Sequence, residues 1–134
     1  MSQENVDVIL RGLAYFQEHG DFLDENISPD FVWDMSTFAG WPEKQVYEGL
    51  DGAREFMAAW TDAWEDWEIE LVEIHDAGDQ VVAVMRQRGR SKSTGLEVDM
   101  ELAQVFSFDG VLQTGMRAYA DPAEGLKAAG LSTR

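Results

Sequence analysis

The chain has 134 residues, of which 45% are hydrophobic and 11% aromatic, which suits one domain with its own apolar core. Its formal net charge of -16 argues against nucleic acid and membranes as partners, because binding to phosphate groups requires a basic surface. Since the chain has no cysteine, and its two histidines do not lie at metal-ligand spacing, we expect no disulfide, metal or other cofactor.

The sequence also lacks the usual features of membrane and exported proteins. No run of about 18 apolar residues is present, so no transmembrane helix is predicted. The first residues are polar and acidic, unlike a secretory signal. We therefore expect a cytoplasmic protein.

The N-terminal half is predicted to be mostly helical. Apolar residues recur at helical spacing from Val6 to Phe16, and Gly20 supplies a left-handed residue that ends this helix. Asp21 is predicted to cap a second, short helix over residues 22–26, which the following Ser-Pro dipeptide ends.

A strand, a loop and a further helix are predicted next along the chain. The aromatic, β-prone segment at residues 31–35 predicts the strand. Residues 36–49 contain glycine and proline together with several aromatic side chains, and they are predicted to form a loop. Asp51 is predicted to cap the next helix, whose apolar positions are Phe56, Met57, Trp60 and Trp64.

The C-terminal half is predicted to be an antiparallel sheet with short connections. The segment Asp76-Ala77-Gly78-Asp79 and the dipeptide Asp109-Gly110 are turn sequences. A capping box that starts at Asp121 precedes a last short helix. Helices followed by such a sheet predict an α+β fold. The strands are predicted at residues 67–74, 80–90, 97–108 and 111–119.

Three arginines alternate along one predicted strand: Arg86, Arg88 and Arg90. Because side chains alternate across a strand, these arginines share one face. The sequence allows two registers with the next strand. If Arg86 opposes Met100, the arginines lie on the face of Gln104. If Arg86 opposes Glu101, the arginines form ion pairs across the strands. The register therefore decides whether the arginines reach a pocket.

The element order and two motifs resemble a known superfamily. The ending Arg117-Ala118-Tyr119-Ala120-Asp121-Pro122 and the run Gln87-Arg88-Gly89-Arg90 are similar to those of SnoaL-like domains, a branch of the NTF2-like superfamily. The resemblance covers essentially the whole chain, and it implies one domain over residues 1–134. In the cone fold of this superfamily, a curved antiparallel sheet wraps around N-terminal helices and encloses a pocket.

The resemblance also implies a homodimer that forms through the convex face of the sheet. The superfamily contains isomerases, cyclases, hydrolases, dehydratases and non-enzymatic binding domains, so the resemblance specifies the fold more closely than the function. In such a dimer, four residues would be partly buried on the convex face: Ala83, Met85, Ala103 and Val105.

The same resemblance suggests catalytic residues. The segment Val32-Trp33-Asp34-Met35 resembles the motif that carries the base aspartate of ketosteroid isomerases. It implies proton transfer by Asp34, with Arg86 or Gln104 stabilising an enolate-like anion. The tyrosine position of those isomerases falls on Leu13, so their oxyanion site is incomplete. The two aspartate positions of limonene-epoxide hydrolases fall on arginine and alanine, which excludes that activity.

The expected ligand is a small apolar molecule with a carbonyl or acidic group. Arg88 and Gln104 would orient its polar end, and the expected apolar lining is Trp33, Phe56, Trp60, Phe106 and Met116. Two alternatives stay open: a carrier or sensor in which Asp34 pairs with Arg86, and an accessory dimerisation domain whose pocket is filled by its own tryptophans. An Asp34–arginine distance under about 4 Å, with no free donor facing Asp34, favours a carrier or a structural role. A cavity well under roughly 300 Å³ favours the accessory domain.

Overall fold

The computed structural model describes residues 2–38 and 45–131, which form three helices and six strands. The α+β prediction is confirmed. The helices are α1 (Ser2–His19), α2 (Gly49–Asp62) and α3 (Pro122–Ala128). The strands are β1 (Ile27–Asp34), β2 (Val46–Glu48), β3 (Trp64–Asp76), β4 (Gln80–Ser91), β5 (Glu97–Asp109) and β6 (Leu112–Tyr119).

The strands form one sheet in the order β2-β1-β6-β5-β4-β3. Neighbouring strands are antiparallel, except that β1 and β6 run parallel. We call the face that packs against α1 and α2 the inner face, and the face that packs against α3 the outer face. The main hydrophobic core lies on the inner face. Within the described ranges, no helix combines the length and apolarity that crossing a bilayer would require.

Strand alternation divides β4 between the two faces. Ala83 and Met85 belong to the inner core and are 0% and 1% exposed, so the expectation that they lie on the convex face is wrong. Ala103 and Val105 do lie on the outer face, where Leu126 of the same chain packs against them. Burial of this second apolar patch therefore comes from α3, and the homodimer stays a prediction.

The helix predicted at residues 22–26 is absent. Residues 22–24 have no regular structure, and residues 25–26 form a turn. The Asp21 carboxylate accepts hydrogen bonds from the Phe22 amide at 2.8 Å and from Nε of Arg54 at 2.9 Å. A tertiary contact with α2 therefore uses the carboxylate that was expected to cap a helix.

The strand, loop and helix predicted at residues 31–64 have different boundaries in the structure, and Trp64, expected on the helix, is the first residue of β3. β1 begins at Ile27 and includes Pro29, where its pairing with β6 is irregular, a position that strand prolines favour. β2 lies inside the predicted loop, and residues 39–44 of that loop lie outside the described residues. α2 begins at Gly49, so Asp51 lies in its first turn and does not cap it.

The ends of α1 and α3 agree with the sequence patterns. Gly20 follows α1 with φ of 69°, a left-handed conformation that glycine adopts at low cost. At the start of α3, the Asp121 carboxylate accepts a hydrogen bond from the Ala123 amide at 3.0 Å, and Pro122 occupies the first turn. These helix ends use local chemistry that the sequence displays directly.

The register of β4 with β5 is the second of the two that the sequence allows, with Arg86 opposite Glu101. The three arginines therefore lie on the outer face and form an ion-pair ladder. The N–O distances in the ladder are 2.5 Å for Arg86–Asp99, 3.3 Å for Arg88–Glu68 and 3.2 Å for Arg90–Glu97. The expected placement of Arg86 and Arg88 in a pocket is wrong.

Candidate functional site

An inner cavity of about 100 Å³ lies between α1, α2 and the inner face of the sheet. Ile9 and Leu13 of α1 line it, because residues four apart share one face of a helix. Met57 of α2 and the strand residues Met85 and Phe106 close the other sides. The lining residues that the structure describes include no charged side chain.

A smaller lobe of about 40 Å³ adjoins the inner cavity, and both are lined by Met57 and Gln104. We call it the tryptophan lobe, because Trp33, Trp60 and Trp67 line it. Ligand sites for drug-sized molecules usually exceed roughly 300 Å³. The inner cavity and its lobe therefore suit only a compact molecule.

Ring contacts fix the walls of the tryptophan lobe. The ring centroids of Trp33 and Phe56 are 5.2 Å apart, and those of Phe56 and Trp60 are 5.7 Å apart. Phe38 meets Trp60 edge to face, with centroids 5.7 Å apart. These side chains are between 4% and 8% exposed, so the lobe is formed by closely packed aromatic rings.

Two residues that line the tryptophan lobe carry buried hydrogen-bond donors without a partner among the described residues. Gln87 is 2% exposed, and its Oε1 accepts hydrogen bonds from Nε1 of Trp60 at 3.0 Å and from Nε1 of Trp67 at 2.9 Å. The amide Nε2 of Gln87 and the indole Nε1 of Trp33 are buried and have no hydrogen-bond partner among the described residues. The lobe thus presents buried N–H groups without a fixed charge.

Asp34 lies away from this cavity. Because side chains alternate along β1, Trp33 points to the inner core and Asp34 points to the outer face. Its carboxylate lies 3.2 Å from Nη2 of Arg117 and accepts a hydrogen bond from the Ser36 amide at 2.8 Å. Asp34 and Arg117 border an outer cleft of about 390 Å³ on the opposite side of the sheet. The expected placement of Asp34 among the pocket aromatic residues is therefore wrong.

The surroundings of Asp34 lower its pKa. Burial of the carboxyl raises its pKa, but hydrogen bonds from Ser36 and the charge and hydrogen bond of Arg117 outweigh this effect. The pKa therefore lies below the ordinary value of 3.8. A carboxylate held in this way is a weak proton acceptor and a good structural partner for the arginine.

Replacing Asp34 by asparagine is expected to lower the free energy of unfolding at neutral pH by about 0.5–1 kcal/mol, because a partly exposed ion pair is lost. A carboxyl whose pKa is lower in the folded protein than in the unfolded chain stabilises the fold at pH values above its unfolded-state pKa. This stabilisation is lost as the pH falls through its folded-state pKa. The difference between the wild type and Asp34→Asn should therefore shrink below pH 3.8. Urea unfolding at a series of pH values measures it.

Asp109→Asn is the matched control, because Asp109 lies exposed at the end of β5. Subtracting the stability change of Asp109→Asn from that of Asp34→Asn at each pH removes the contribution of the many other carboxylates that titrate. A stability difference for Asp34→Asn that stays constant from neutral to acid pH would contradict the role given to its charge.

The expected lining residues are divided between three places. Trp33, Gln104 and Phe106 line the inner cavity, and Phe56 and Trp60 line the tryptophan lobe. Met116 is buried in the inner core and borders the outer cleft instead. The structure thus brings together the expected aromatic residues and Gln104, and separates them from Asp34, Arg86 and Arg88.

Gln87 was not among the residues expected at a site. A signal for it is present in the sequence, since Gln87 continues the alternating set Val81, Ala83 and Met85 and is the one polar side chain in that set. Once the β4 register is known, this pattern places an amide on the apolar inner face. A buried polar group of this kind requires partners or a ligand.

A curved sheet closed by helices around an inner cavity is the cone fold of NTF2-like proteins. Residues 11–112 match the family model of the SnoaL-like domain, which covers most of the chain. The chain belongs to the SnoaL-like domain family. No curated protein matches the chain.

Several solved structures share this fold. An NTF2-like protein from Burkholderia thailandensis E264 is 23% identical, with 94% of this chain and 96% of that chain covered and a TM-score of 0.76. TerC, co-crystallised with polyporic acid, is 18% identical, with 95% and 98% covered and a TM-score of 0.71. A ketosteroid isomerase-like protein from Catenulispora acidiphila DSM 44928, in complex with trimethylamine, is 16% identical, with 92% of each chain covered and a TM-score of 0.67. At these identities the likeness establishes the fold alone.

Proposed function

We propose that the chain binds a compact, uncharged and largely apolar small molecule in the inner cavity, without proton transfer by Asp34. The observation that supports this most directly is an apolar space between the helices and the sheet, lined at one end by residues with buried, unpartnered N–H groups. Structural neighbours that were crystallised with polyporic acid and with trimethylamine support a small-molecule role for the fold.

The charge and size of the cavity define the ligand. No cationic side chain lies in the described lining, so a buried carboxylate would be left without a counter-charge, at a large cost. A carbonyl group is therefore favoured over an acidic group. Because an apolar cavity of about 150 Å³ in another protein holds benzene, we expect a ligand of about six to eight non-hydrogen atoms.

The Asp34–Arg117 pair supports binding without catalysis. The separation of 3.2 Å meets the distance expected for a carrier or sensor, and the arginine in question lies on β6 instead of β4. The carboxylate is turned away from the inner cavity, so the isomerase-type mechanism has no base at the proposed site.

An accessory dimerisation domain is the second candidate function. The cavity volume of about 100 Å³ supports it, because the interior is well below the size of most ligand sites. In that case the aromatic side chains serve the core, and the outer face forms the contact with a second copy. Absence of ligand binding together with a stable homodimer would favour this function.

A titration with cyclohexanone, followed by NMR of the tryptophan indole N–H signals, tests the proposed function. We expect the indole N–H signals of the lobe tryptophans to shift saturably, with a Kd of about 1 mM or tighter. Cyclohexanone has about seven non-hydrogen atoms, and a binding free energy of roughly 0.6 kcal/mol per atom gives that affinity. Gly12→Leu should weaken binding by at least about tenfold. Gly12 lines the inner cavity, and a Cβ added there would meet no atom within 4 Å, so a larger side chain can fill the space.

Two controls accompany the titration. Gly12→Ala makes the same change in α1 with little added volume and should retain binding. Arg86→Gln changes the outer ion-pair ladder and should bind as the wild type does, because the arginine lies on the opposite face from the cavity. Absence of saturable shifts in the wild type, or equal binding by Gly12→Leu, would refute the proposed function.

A further inference from the structure

The amide of Gln87 has a fixed orientation. An indole N–H can only donate a hydrogen bond, and both Trp60 and Trp67 direct their Nε1 atoms at one end of the amide, at 3.0 and 2.9 Å. That end must be the oxygen, because the NH₂ group is itself a donor and cannot accept hydrogen bonds from the two indoles. The hydrogen-bond network therefore assigns the amide oxygen and nitrogen without ambiguity, and it leaves the NH₂ group without a partner among the described residues.

The free NH₂ group requires an explanation. Gln87 is 2% exposed, its Nε2 atom has no partner among the described residues, and the residue lines the tryptophan lobe. A buried donor without a partner is destabilising, and native proteins contain few of them. Trp33 on β1 adds a second unpartnered donor, its Nε1, to the lining of the same lobe. Two unpartnered donors thus belong to residues of different strands that line a space of about 40 Å³, the size of one small polar group.

We propose that Gln87 orients the ligand by donating a hydrogen bond from Nε2 to a carbonyl oxygen placed in the tryptophan lobe. The ligand class is a ketone, aldehyde, quinone, ester or lactone whose apolar part fills the inner cavity. This assignment rests on the proposed function and specifies its ligand. Trp60 and Trp67 hold the amide in place, and Trp33 offers a second donor to the same oxygen. A site of this kind discriminates against an analogue without the oxygen, because the buried donors would then stay unpaired.

A pair of ligands of equal shape tests the role of Gln87. Cyclohexanone and methylenecyclohexane differ in one oxygen, which the hydrocarbon replaces by a methylene group. We expect the wild type to bind the ketone about tenfold more tightly than the hydrocarbon, the effect of one buried hydrogen bond. Gln87→Met, which keeps the side-chain length and removes the donor, should bind both ligands with similar affinity.

Gln80→Met is the matched control, since it makes the same chemical change on the same strand at a residue that borders the outer cleft. It should retain the tenfold preference for the ketone. A preference that survives in Gln87→Met would overturn the proposal.

A measurement on the wild type covers the case in which Gln87→Met fails to fold. With ¹³C-labelled cyclohexanone, the carbonyl stretching frequency of the bound ketone should lie below that of the ketone in an apolar solvent. The side-chain NH₂ signals of Gln87 should shift with the ketone and stay in place with the hydrocarbon. An unshifted carbonyl frequency would overturn the proposal.

The two proposals fail in different ways. If the wild type binds ketone and hydrocarbon equally well, the proposed function stands, and water instead of a ligand is the partner of Gln87. If the wild type binds neither molecule, the proposed function itself is wrong.

Discussion

Phe56→Ala is expected to lower the free energy of unfolding by about 3–5 kcal/mol, the range for removing a buried phenylalanine ring. Phe56 is 4% exposed, and its ring centroid lies 5.2 Å from that of Trp33, 5.5 Å from Tyr47 and 5.7 Å from Trp60. The substitution removes apolar contacts and leaves a void where β1, β2 and α2 meet. Urea unfolding at constant pH measures the loss.

Two further variants calibrate this result. Phe56→Leu fills more of the space and should cost clearly less than the alanine variant. Leu96→Ala removes an apolar side chain that is 66% exposed and should change stability by less than about 0.5 kcal/mol. A loss below about 1 kcal/mol for Phe56→Ala would show that these rings do not hold the inner core together.

Gly125→Ala is expected to destabilise the protein by about 1–3 kcal/mol, although alanine is the better helix former. A Cβ at position 125 would lie 2.6 Å from the Cβ of Ala103 on β5, a separation that forces α3 away from the sheet. Displacing α3 would uncover the outer patch around Val105 and Leu126. Urea unfolding measures the loss, and hydrogen exchange of the β5 amides reports the displacement.

A second substitution tests whether the clash is the cause. Ala103→Gly should recover most of the lost stability when it is combined with Gly125→Ala, so the two changes should not be additive. Gly12→Ala is the control for helix propensity, because an added Cβ there meets no atom within 4 Å, and it should stabilise by up to about 1 kcal/mol. An equal gain in stability from Gly125→Ala would contradict the close approach of α3.

Helix α3 covers the apolar patch on the outer face of the sheet. Of the apolar residues expected to contact a second subunit, the two on the outer face, Ala103 and Val105, are already covered by Leu126, which is 1% exposed. Beyond this patch the outer face carries the ion-pair ladder and the Asp34–Arg117 pair, which are polar contacts. A homodimer through this face would therefore use a mixed or charged surface. Sedimentation of the wild type and of Arg86→Gln measures the oligomeric state and whether the ion-pair ladder contributes to it.

Elements with a strong local signal were predicted well from the sequence. α1 has apolar residues at helical spacing and a glycine at its end, and the strands β4, β5 and β6 alternate and are separated by turn residues. β2 was missed because its 3 residues are too few to show a period, and they form a strand only by pairing with β1. The helix predicted at residues 22–26 is absent, and the Asp21 carboxylate instead accepts hydrogen bonds from the Phe22 amide and from Arg54 of α2, a distant partner that the local sequence does not reveal.

The site residues were predicted less well than the fold. Trp33 and Asp34 were both expected at one pocket, although adjacent residues of a strand point to opposite faces. The structure follows the alternation rule, with Trp33 in the core and Asp34 paired outside. The motif resemblance gave the correct strand and the wrong face for the carboxylate, and it gave no indication of Gln87.

The sequence alone determined the family, the two alternating sets of side chains along β4, and the order of helices and strands apart from β2 and the absent helix at residues 22–26. Only the tertiary structure decided which set faces the helices. Both sets begin with apolar residues, Val81 and Ala83 in one and Val82 and Val84 in the other, so local hydrophobicity does not distinguish them. The pairing of β4 with two neighbouring strands, together with packing against α1, α2 and α3, fixes the register, and a shift of one residue would exchange the faces of Arg86 and Gln87.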